Sequence, residues 1–307
     1  MKYNKIIIAG GNGYLGVLLS NYFLPMTREL VVLCRNIPSQ KLPLTYVLWN
    51  GKDEGPWMET LENADLLINL CGKNVNCRYT DTNKKQIIES RTGPTHALGQ
   101  AVQQLLHPPK CWINASSATW YRSAHDRPQS EADGDEGYGF SIDVVNAWEQ
   151  AFFQYQFSHT RQIALRTGIV LGRSDGAFPR MLNLVKCGLG GHQGNGLQMM
   201  SWIHEHDLAR IVDWLAAGNG TGIYNATAPG PFSNHGFMKT LRRGYGISIG
   251  LHAPQWLLEL GARLVGTETE LLLKSRWVLP ERLQQQGFRF HYATAGDAIN
   301  DLVSLRC

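Results

Sequence analysis

Apolar and polar positions in the first half of the chain follow two alternating periods. Lys5-Ile6-Ile7-Ile8-Ala9 is an apolar run of strand length, and Leu15, Leu18, Leu19 and Tyr22 then recur at helical spacing. Leu30-Val31-Val32-Leu33-Cys34, Tyr46-Val47-Leu48-Trp49 and Ala64-Asp65-Leu66-Leu67-Ile68-Asn69-Leu70 read as further strands. A helical stretch begins near Asn83 and carries Ile87, Ile88 and Arg91; Gly93-Pro94 predicts a break before it resumes from Leu98 to Leu106. Cys111-Trp112-Ile113-Asn114-Ala115 is a fifth strand. After an acidic loop over 126–136, Val144, Val145, Trp148, Phe152 and Phe153 form one helical face, and Ile163-Ala164-Leu165-Arg166 is a sixth strand. Strands alternating with helices predict an α/β fold with a doubly wound parallel sheet.

The first strand runs straight into Gly10-Gly11-Asn12-Gly13-Tyr14-Leu15-Gly16 and the first helix. Strand, glycine loop and helix in that order form the phosphate-binding turn of a Rossmann-like dinucleotide fold. Glycines permit the tight turn and the approach of a pyrophosphate to the N–H groups at the helix start. The second strand ends where an acidic residue would hold the 2′-hydroxyl of NAD, but Arg35 and Asn36 stand there. A guanidinium suits a 2′-phosphate and no acid is present to repel it, which favours NADP(H) over NAD(H).

Beyond Gly172 the pattern changes. Glycines crowd 188–196, a loop that is either a flexible lid or a grip on a substrate phosphate. Ser201-Trp202-Ile203-His204, a helix over 207–217 and the strand Gly222-Ile223-Tyr224-Asn225-Ala226 return to the sheet. The remainder predicts helices over 255–265 and 295–305 and a short strand over 288–290. The division that follows is a dinucleotide-binding domain over 1–172, completed by about 201–228. A smaller C-terminal substrate lobe is drawn from 173–200 and 229–307.

Composition narrows the class. Of 307 residues 43% are hydrophobic and 18% charged, enough for a sizeable core. A formal net charge of +4 without a dense basic block argues against nucleic acid, and no apolar run is long enough for a membrane span. Residues 1–5 lead directly into the first strand, which predicts no leader peptide. Six cysteines without C-x-x-C or disulfide-type spacing predict reduced thiols and a cytoplasmic setting. Oligomeric state is not legible, and the partner expected is a small-molecule substrate of unknown identity.

Several segments resemble the extended short-chain dehydrogenase/reductase superfamily. Ser116-Ser117-Ala118-Thr119-Trp120-Tyr121 is similar to S-S-A-T-x-Y of its sugar-nucleotide epimerases. Leu165 to Gly172 resembles L-R-x-x-x-V-x-G, and Trp202 to Leu208 resembles an aromatic-V-H-x-x-D segment. The likeness is closer to an atypical "epimerase family protein" branch, which shares Ile68-Asn69-Leu70-Cys71-Gly72, Glu89-Ser90-Arg91, Phe140 through Trp148-Glu149 and the segment 188–196. The branch also shares Leu279-Pro280-Glu281-Arg282-Leu283 and Gly287-Phe288, part of its small C-terminal domain of unknown function. The resemblance implies that Asn69, Leu70, Cys71, Gly72 and Arg91 line the cofactor and that the nicotinamide lies near Thr167, Gly168, Ile169 and Val170.

Active members of that superfamily carry a Tyr-x-x-x-Lys pair, in which the cation lowers the phenol pKa for proton exchange near neutral pH. The matching positions here are Phe140 and Val144, and none of the eleven tyrosines has a lysine four residues later. Ser117 aligns with the serine that binds a substrate oxygen. Tyr121 is the candidate general acid, with no cation expected near it, so that its pKa stays near ~10. Cys71 reads as a buried inert thiol. His204 and His206 with Asp207 could be read as metal ligands, but two histidines two apart without a third defined partner are a weak signal, and the resemblance makes His204 a support of the substrate lobe.

Three functions remain open at this point. The first is an NADP(H)-dependent oxidoreductase that reduces a small carbonyl compound. The second is a non-catalytic NADP(H)-binding sensor or interaction protein. The third is a nucleotide-sugar epimerase/dehydratase, which suffers most from losing the Tyr–Lys base.

Overall fold

In the computed structural model, residues 1–40, 42–256, 258 and 274–304 are described. The strands in chain order are β1 (Tyr3–Ala9), β2 (Thr27–Cys34), β3 (Thr45–Leu48), β4 (Leu66–Asn69), β5 (Cys111–Ser117) and β6 (Arg161–Thr167). They continue with β7 (Ile169–Leu171), β8 (Met199–Met200), β9 (Trp202–His204), β10 (Gly222–Ala226) and β11 (Phe232–Ser233). The helices are α1 (Tyr14–Phe23), α2 (Asp81–Gln104), α3 (Phe140–Phe153), α4 (Ala177–Lys186), α5 (Glu205–Ala217), α6 (Asn234–Gly244), α7 (Glu281–Gln285) and α8 (Ala295–Ser304).

Seven strands form one parallel sheet in the order β10-β6-β5-β4-β1-β2-β3. The order reverses between β1 and β4, and ligands of such sheets bind outside the strand ends at that switch point. Successive residues of each strand bury opposite faces. Ile6, Ile8, Val32 and Ile68 pack with Leu19 and Phe23 of α1 and Ile211 of α5. Ile7, Ala9, Val31 and Leu67 pack with Leu98 and Ala101 of α2 and Phe152 of α3. Each fully buried aliphatic chain contributes roughly 1.5–3 kcal/mol, so this two-sided core holds the crevice walls. A third cluster joins Phe178, Leu182, Phe237, Leu241, Ile299 and Leu302 of α4, α6 and α8.

Two expectations are corrected. The helix does not break at Gly93-Pro94: α2 is continuous, with Pro94 inside it. The Thr92 and Thr95 hydroxyls donate to the Ile88 and Arg91 carbonyls at 3.1 and 2.8 Å around the proline, and Pro94 is buried against Gly51. Residues 288–290 are not a strand, because side chains satisfy the backbone here: Arg210 donates to the Arg289 carbonyl at 2.9 Å, and Asp207 accepts the His291 and Tyr292 N–H groups. Helices α4 and α6 add to what was expected. Phe178, Met181, Leu182, Val185 and Asn234, Phe237, Met238, Leu241 do repeat at helical spacing, but Pro179 and Gly236 mask them. Of the helix expected over 255–265, only the start lies among the described residues, where Leu258 N–H donates to the Pro254 carbonyl at 3.2 Å. The last residue of the segment 295–305 also lies outside them.

Candidate functional site

The glycine turn stands at the switch point. Gly10 has φ +75°, and a Cβ there would lie 3.0 Å from the Cys71 backbone nitrogen and Sγ. A Cβ on Gly16 would fall 2.3 Å from the Gly11 carbonyl oxygen, so only glycine lets α1 close on the turn. Gly13 differs: nothing lies within 4 Å of its Cβ position. It caps α1 without any side-chain hydrogen bond, and no acid occupies the first turn. The helix therefore offers unpaired N–H groups and the positive end of its dipole to an anion. Asn12 and Tyr14 have structural partners: the Asn12 amide donates to the Asn36 carbonyl, and the Tyr14 hydroxyl donates to Glu205. Leu15 packs against the core.

Arg35 is exposed at the end of β2 and makes no ion pair among the described residues. It borders a cavity of about 400 Å³ with Trp49, Asn50, Asp53, Glu54 and Trp57. The sequence alone placed no acid here, yet the fold brings two carboxylates to the same cavity. Asp53 is held by Asn50 at 2.6 Å and Glu54 by Gln104 at 3.4 Å.

At the end of β4, the buried Asn69 amide donates to Asn114 at 2.7 Å and Thr95 at 3.0 Å, while its oxygen accepts the Cys71 N–H at 3.1 Å. Leu70 N–H bonds the Ala9 carbonyl at 2.9 Å, which ties this strand end to β1. Burial pushes the Cys71 thiol up to about 12, so it stays protonated and unreactive at neutral pH. Gly72 leaves room for Arg91, whose Cζ would lie 3.1 Å from an added Cβ. The Arg91 guanidinium donates to the Ile87 carbonyl at 3.0 Å and lies 5.2 Å over the Trp148 ring. No carboxylate pairs with it among the described residues, and burial pulls its pKa down to about 10.

On the other side of the switch point, Ser117 and Thr167 are register partners at the ends of β5 and β6. The Ser117 hydroxyl accepts from Thr119 N–H at 3.2 Å and from the Thr119 hydroxyl at 2.9 Å. Thr167, Gly168, Ile169 and Val170 are half-buried, and Gly168 sits against the Ser201 carbonyl. Beneath them runs a buried ion pair: Arg166 donates to both Glu149 oxygens at 2.8 and 2.7 Å, and Ser116 donates to the same carboxylate at 2.6 Å.

Tyr121 is fully buried, and its hydroxyl donates to Asn225 Oδ1 at 3.0 Å. The sequence placed no cation near it, but the Arg166 guanidinium lies 5.1 Å from its ring. Burial raises the phenol pKa and Arg166 opposes that shift. Phe140 and Val144 stand on the first turns of α3, Val144 buried and Phe140 half-buried. Sequence reasoning missed what surrounds Phe140. The Tyr79 ring meets it edge-on at 4.8 Å, and the Lys84 ammonium lies 5.5 Å from its centroid. Tyr79 directly precedes Thr80, the cap of α2, so an aromatic beside a capping threonine was the available signal.

His204, at the end of β9, connects this strand to the start of α5 and to α8. Its Nδ1 accepts the His206 N–H at 3.1 Å, its ring stacks on Tyr292 at 3.8 Å, and Nε2 lies 3.3 Å from Asp301 of α8. Burial lowers its pKa despite that carboxylate, which keeps it neutral at pH 7. Among the described residues, no three His, Cys, Asp or Glu side chains are placed to hold a metal. No described helix is long and apolar enough to cross a membrane. The glycine-rich loop is bonded to 251–253 through Gly191 and Gly194 N–H groups at 2.9 Å each.

Comparison with known proteins identifies the family and the fold. Residues 6–226 match the NAD dependent epimerase/dehydratase family, and residues 253–302 match DUF1731, a domain of unknown function. An epimerase family protein of Staphylococcus saprophyticus is 31% identical, covering 97% of this chain and 98% of its own length. The human epimerase family protein SDR39U1, in a crystal structure with NADPH, superposes with TM-score 0.85 at 26% identity over 98% of this chain and 99% of its own. A UDP-N-acetylglucosamine 4-epimerase from Bacillus cereus shares the fold, with TM-score 0.74 at 14% identity over 99% and 96% of the two chains.

Proposed function

This chain belongs to the NAD-dependent epimerase/dehydratase family, and from that premise we propose that it is an NADP(H)-dependent reductase of a small carbonyl compound, working without a Tyr-x-x-x-Lys pair. The observation that carries the reading is the switch-point crevice: an open, uncapped helix start at Gly13, flanked by Arg35 and Arg91, two cations without a carboxylate partner among the described residues. These residues fit a dinucleotide diphosphate. N–H groups of Gly11 to Gly13 and the start of α1 hold the pyrophosphate, and Arg35 takes the 2′-phosphate against the two acids of its cavity. Asn69, Leu70, Cys71 and Gly72 wall the site, and Thr167 to Val170 receive the nicotinamide. NADPH bound to the human relative supports the phosphate preference.

When bound, the reduced cofactor supplies a hydride to a carbonyl carbon. Ser117 orients the carbonyl oxygen. Tyr121, buried against Asn225, holds the fold beneath Ser117 and is set aside as proton donor. Five described cysteines, all unpaired thiols, favour a reducing cytoplasmic setting. A second reading, cofactor binding without turnover, is favoured by Phe140 and Val144, neither of which transfers a proton.

Titrating the apoprotein with NADPH and NADH, read by energy transfer from tryptophan to nicotinamide, tests the cofactor reading. NADPH should bind at least tenfold more tightly, and Arg35→Glu should abolish that preference; binding of neither nucleotide overturns the proposal. Ser117→Ala separates the two readings. A reductase loses NADPH consumption on carbonyl compounds while nucleotide affinity stays within twofold, whereas a sensor is unchanged in both.

A further inference from the structure

The hydroxyls at the ends of β5 and β6 are not alike. Ser116 donates to the buried Glu149 carboxylate at 2.6 Å, Thr167 to the Leu165 carbonyl at 3.2 Å, and Tyr121 to Asn225 Oδ1 at 3.0 Å. Each of those protons is committed to an acceptor inside the fold. Ser117 Oγ instead accepts twice, from the Thr119 N–H at 3.2 Å and from the Thr119 hydroxyl at 2.9 Å. Among the described residues neither hydroxyl has a further partner. A hydroxyl carries one donor and two lone pairs. Both Ser117 lone pairs are taken, so its proton is the one left to donate outward. Two O–H groups share a single bond between them, so one proton stays uncommitted whichever way that bond runs.

The backbone holds this pair in place. Ser117 caps the turn Ala118–Trp120 that follows β5. The Trp120 indole N–H donates to Asn146 of α3 at 2.8 Å, and the Arg166 guanidinium lies 3.7 Å from its ring centroid. Thr119 therefore sits between two fixed points. Ser117 and Thr119 are both half-buried, which leaves each in contact with solvent.

We propose that Ser117 is the proton donor of the reductase site and that Thr119, acting through it, is the positioning residue that returns the proton from water. The inference rests on the reductase reading, in which Ser117 meets the carbonyl oxygen. As the carbonyl carbon takes the hydride from the reduced nicotinamide, the C=O π pair moves to oxygen. That oxygen takes the Ser117 proton, and the Ser117 O–H pair stays on Oγ. Ser117 Oγ then takes the Thr119 hydroxyl proton, and Thr119 takes one from water. The two hydrogen bonds donated to Ser117 Oγ stabilise its developing negative charge, which a lone serine would lack. The pair thus supplies a proton where Phe140 and Val144 supply none.

The test follows single turnovers of NADPH bound to the full chain, with a panel of benzaldehyde, diacetyl and phenanthrenequinone. Thr119→Val removes the hydroxyl and keeps the shape. It should slow hydride transfer at least about 10-fold with NADPH affinity within about twofold, and Thr119→Ser should restore the rate to within about threefold of wild type. In mixtures of light and heavy water the wild-type rate should fall along a curve, because two protons move together. The Thr119→Val rate should fall along a straight line. Wild-type speed in Thr119→Val, or a straight line in wild type, overturns the relay while the reductase reading stands.

A second readout needs no turnover. In the complex with NADP⁺ and the ¹³C-carbonyl form of the best panel substrate, the Ser117 hydrogen bond lowers the C=O stretching frequency. Ser117→Ala should raise that frequency, Thr119→Val should raise it less, and Thr119→Ser should leave it unchanged. Indifference to Ser117→Ala overturns the donor role. If wild type binds NADPH and reduces none of the panel, the relay falls with turnover. If NADPH fails to bind, the reductase reading itself falls and takes the relay with it.

Discussion

The two ends of the crevice are built from different material. Beside β1 the cofactor end is backbone: a positive φ at Gly10, the Gly16–Gly11 contact and the uncapped start of α1. Beside β5 the chemistry end is side chain: Ser117 over the Ser116–Glu149–Arg166 cluster, Phe140 against Tyr79, and Arg91 on Trp148. Backbone anion sites need residues at fixed spacing, because the turn itself is the ligand-binding device. Side-chain chemistry needs only that groups meet, and they can arrive from any element.

The strongest way to break the contrast is through the ion pair under the chemistry end. Glu149→Ala leaves the Arg166 charge buried and unpaired and should cost about 3–5 kcal/mol, seen as a large drop in thermal midpoint. Loss of under 1 kcal/mol would show that this end tolerates rearrangement. At the cofactor end, Gly13→Val should separate binding from folding. Gly13 has φ −77° and open space at its Cβ, so the fold should hold, while the side chain fills the approach to the α1 N–H groups. NADPH affinity should fall about 100-fold, or about 2.7 kcal/mol, with the thermal midpoint nearly unchanged. Equal affinity would show that the pyrophosphate site lies elsewhere.

The mildest effect concerns His204, which links β9 to Tyr292 and to Asp301 of α8. Burial lowers the His204 pKa in the folded chain, whereas the unfolded chain takes up that proton near ~6.5. Stability from neutral His204 is therefore complete above ~6.5 and is lost as pH falls towards the depressed folded value. His192, lowered by burial and by His252 and His235, acts in the same direction. His204→Asn keeps an acceptor at the α5 cap and removes the titrating group, so its thermal midpoint should decline less steeply from pH 7 to 5. An unaltered slope would assign the acid sensitivity to other groups.

The legible and illegible parts divide along the same line. The glycine turn, the strands and the absence of tyrosine and lysine at 140 and 144 were plain in the sequence, since each depends on residue type at fixed spacing or on a period of two. Helix α2 through Pro94 was misread because local propensity marks a break that tertiary packing overrides. The acids beside Arg35 were missed because Asp53 and Glu54 lie a strand away in sequence. Tyr121 looked available as an acid and proved to be buried beside a cation contributed by β6.

Sequence by itself determined the dinucleotide turn and the doubly wound sheet, because these are written in short-range pattern. Only the tertiary structure decided that Tyr79 and Lys84 meet Phe140 and that Arg91 meets Trp148. Their contact depends on how α2 and α3 pack across the end of β4, a long-range outcome of core packing that no spacing along the chain encodes.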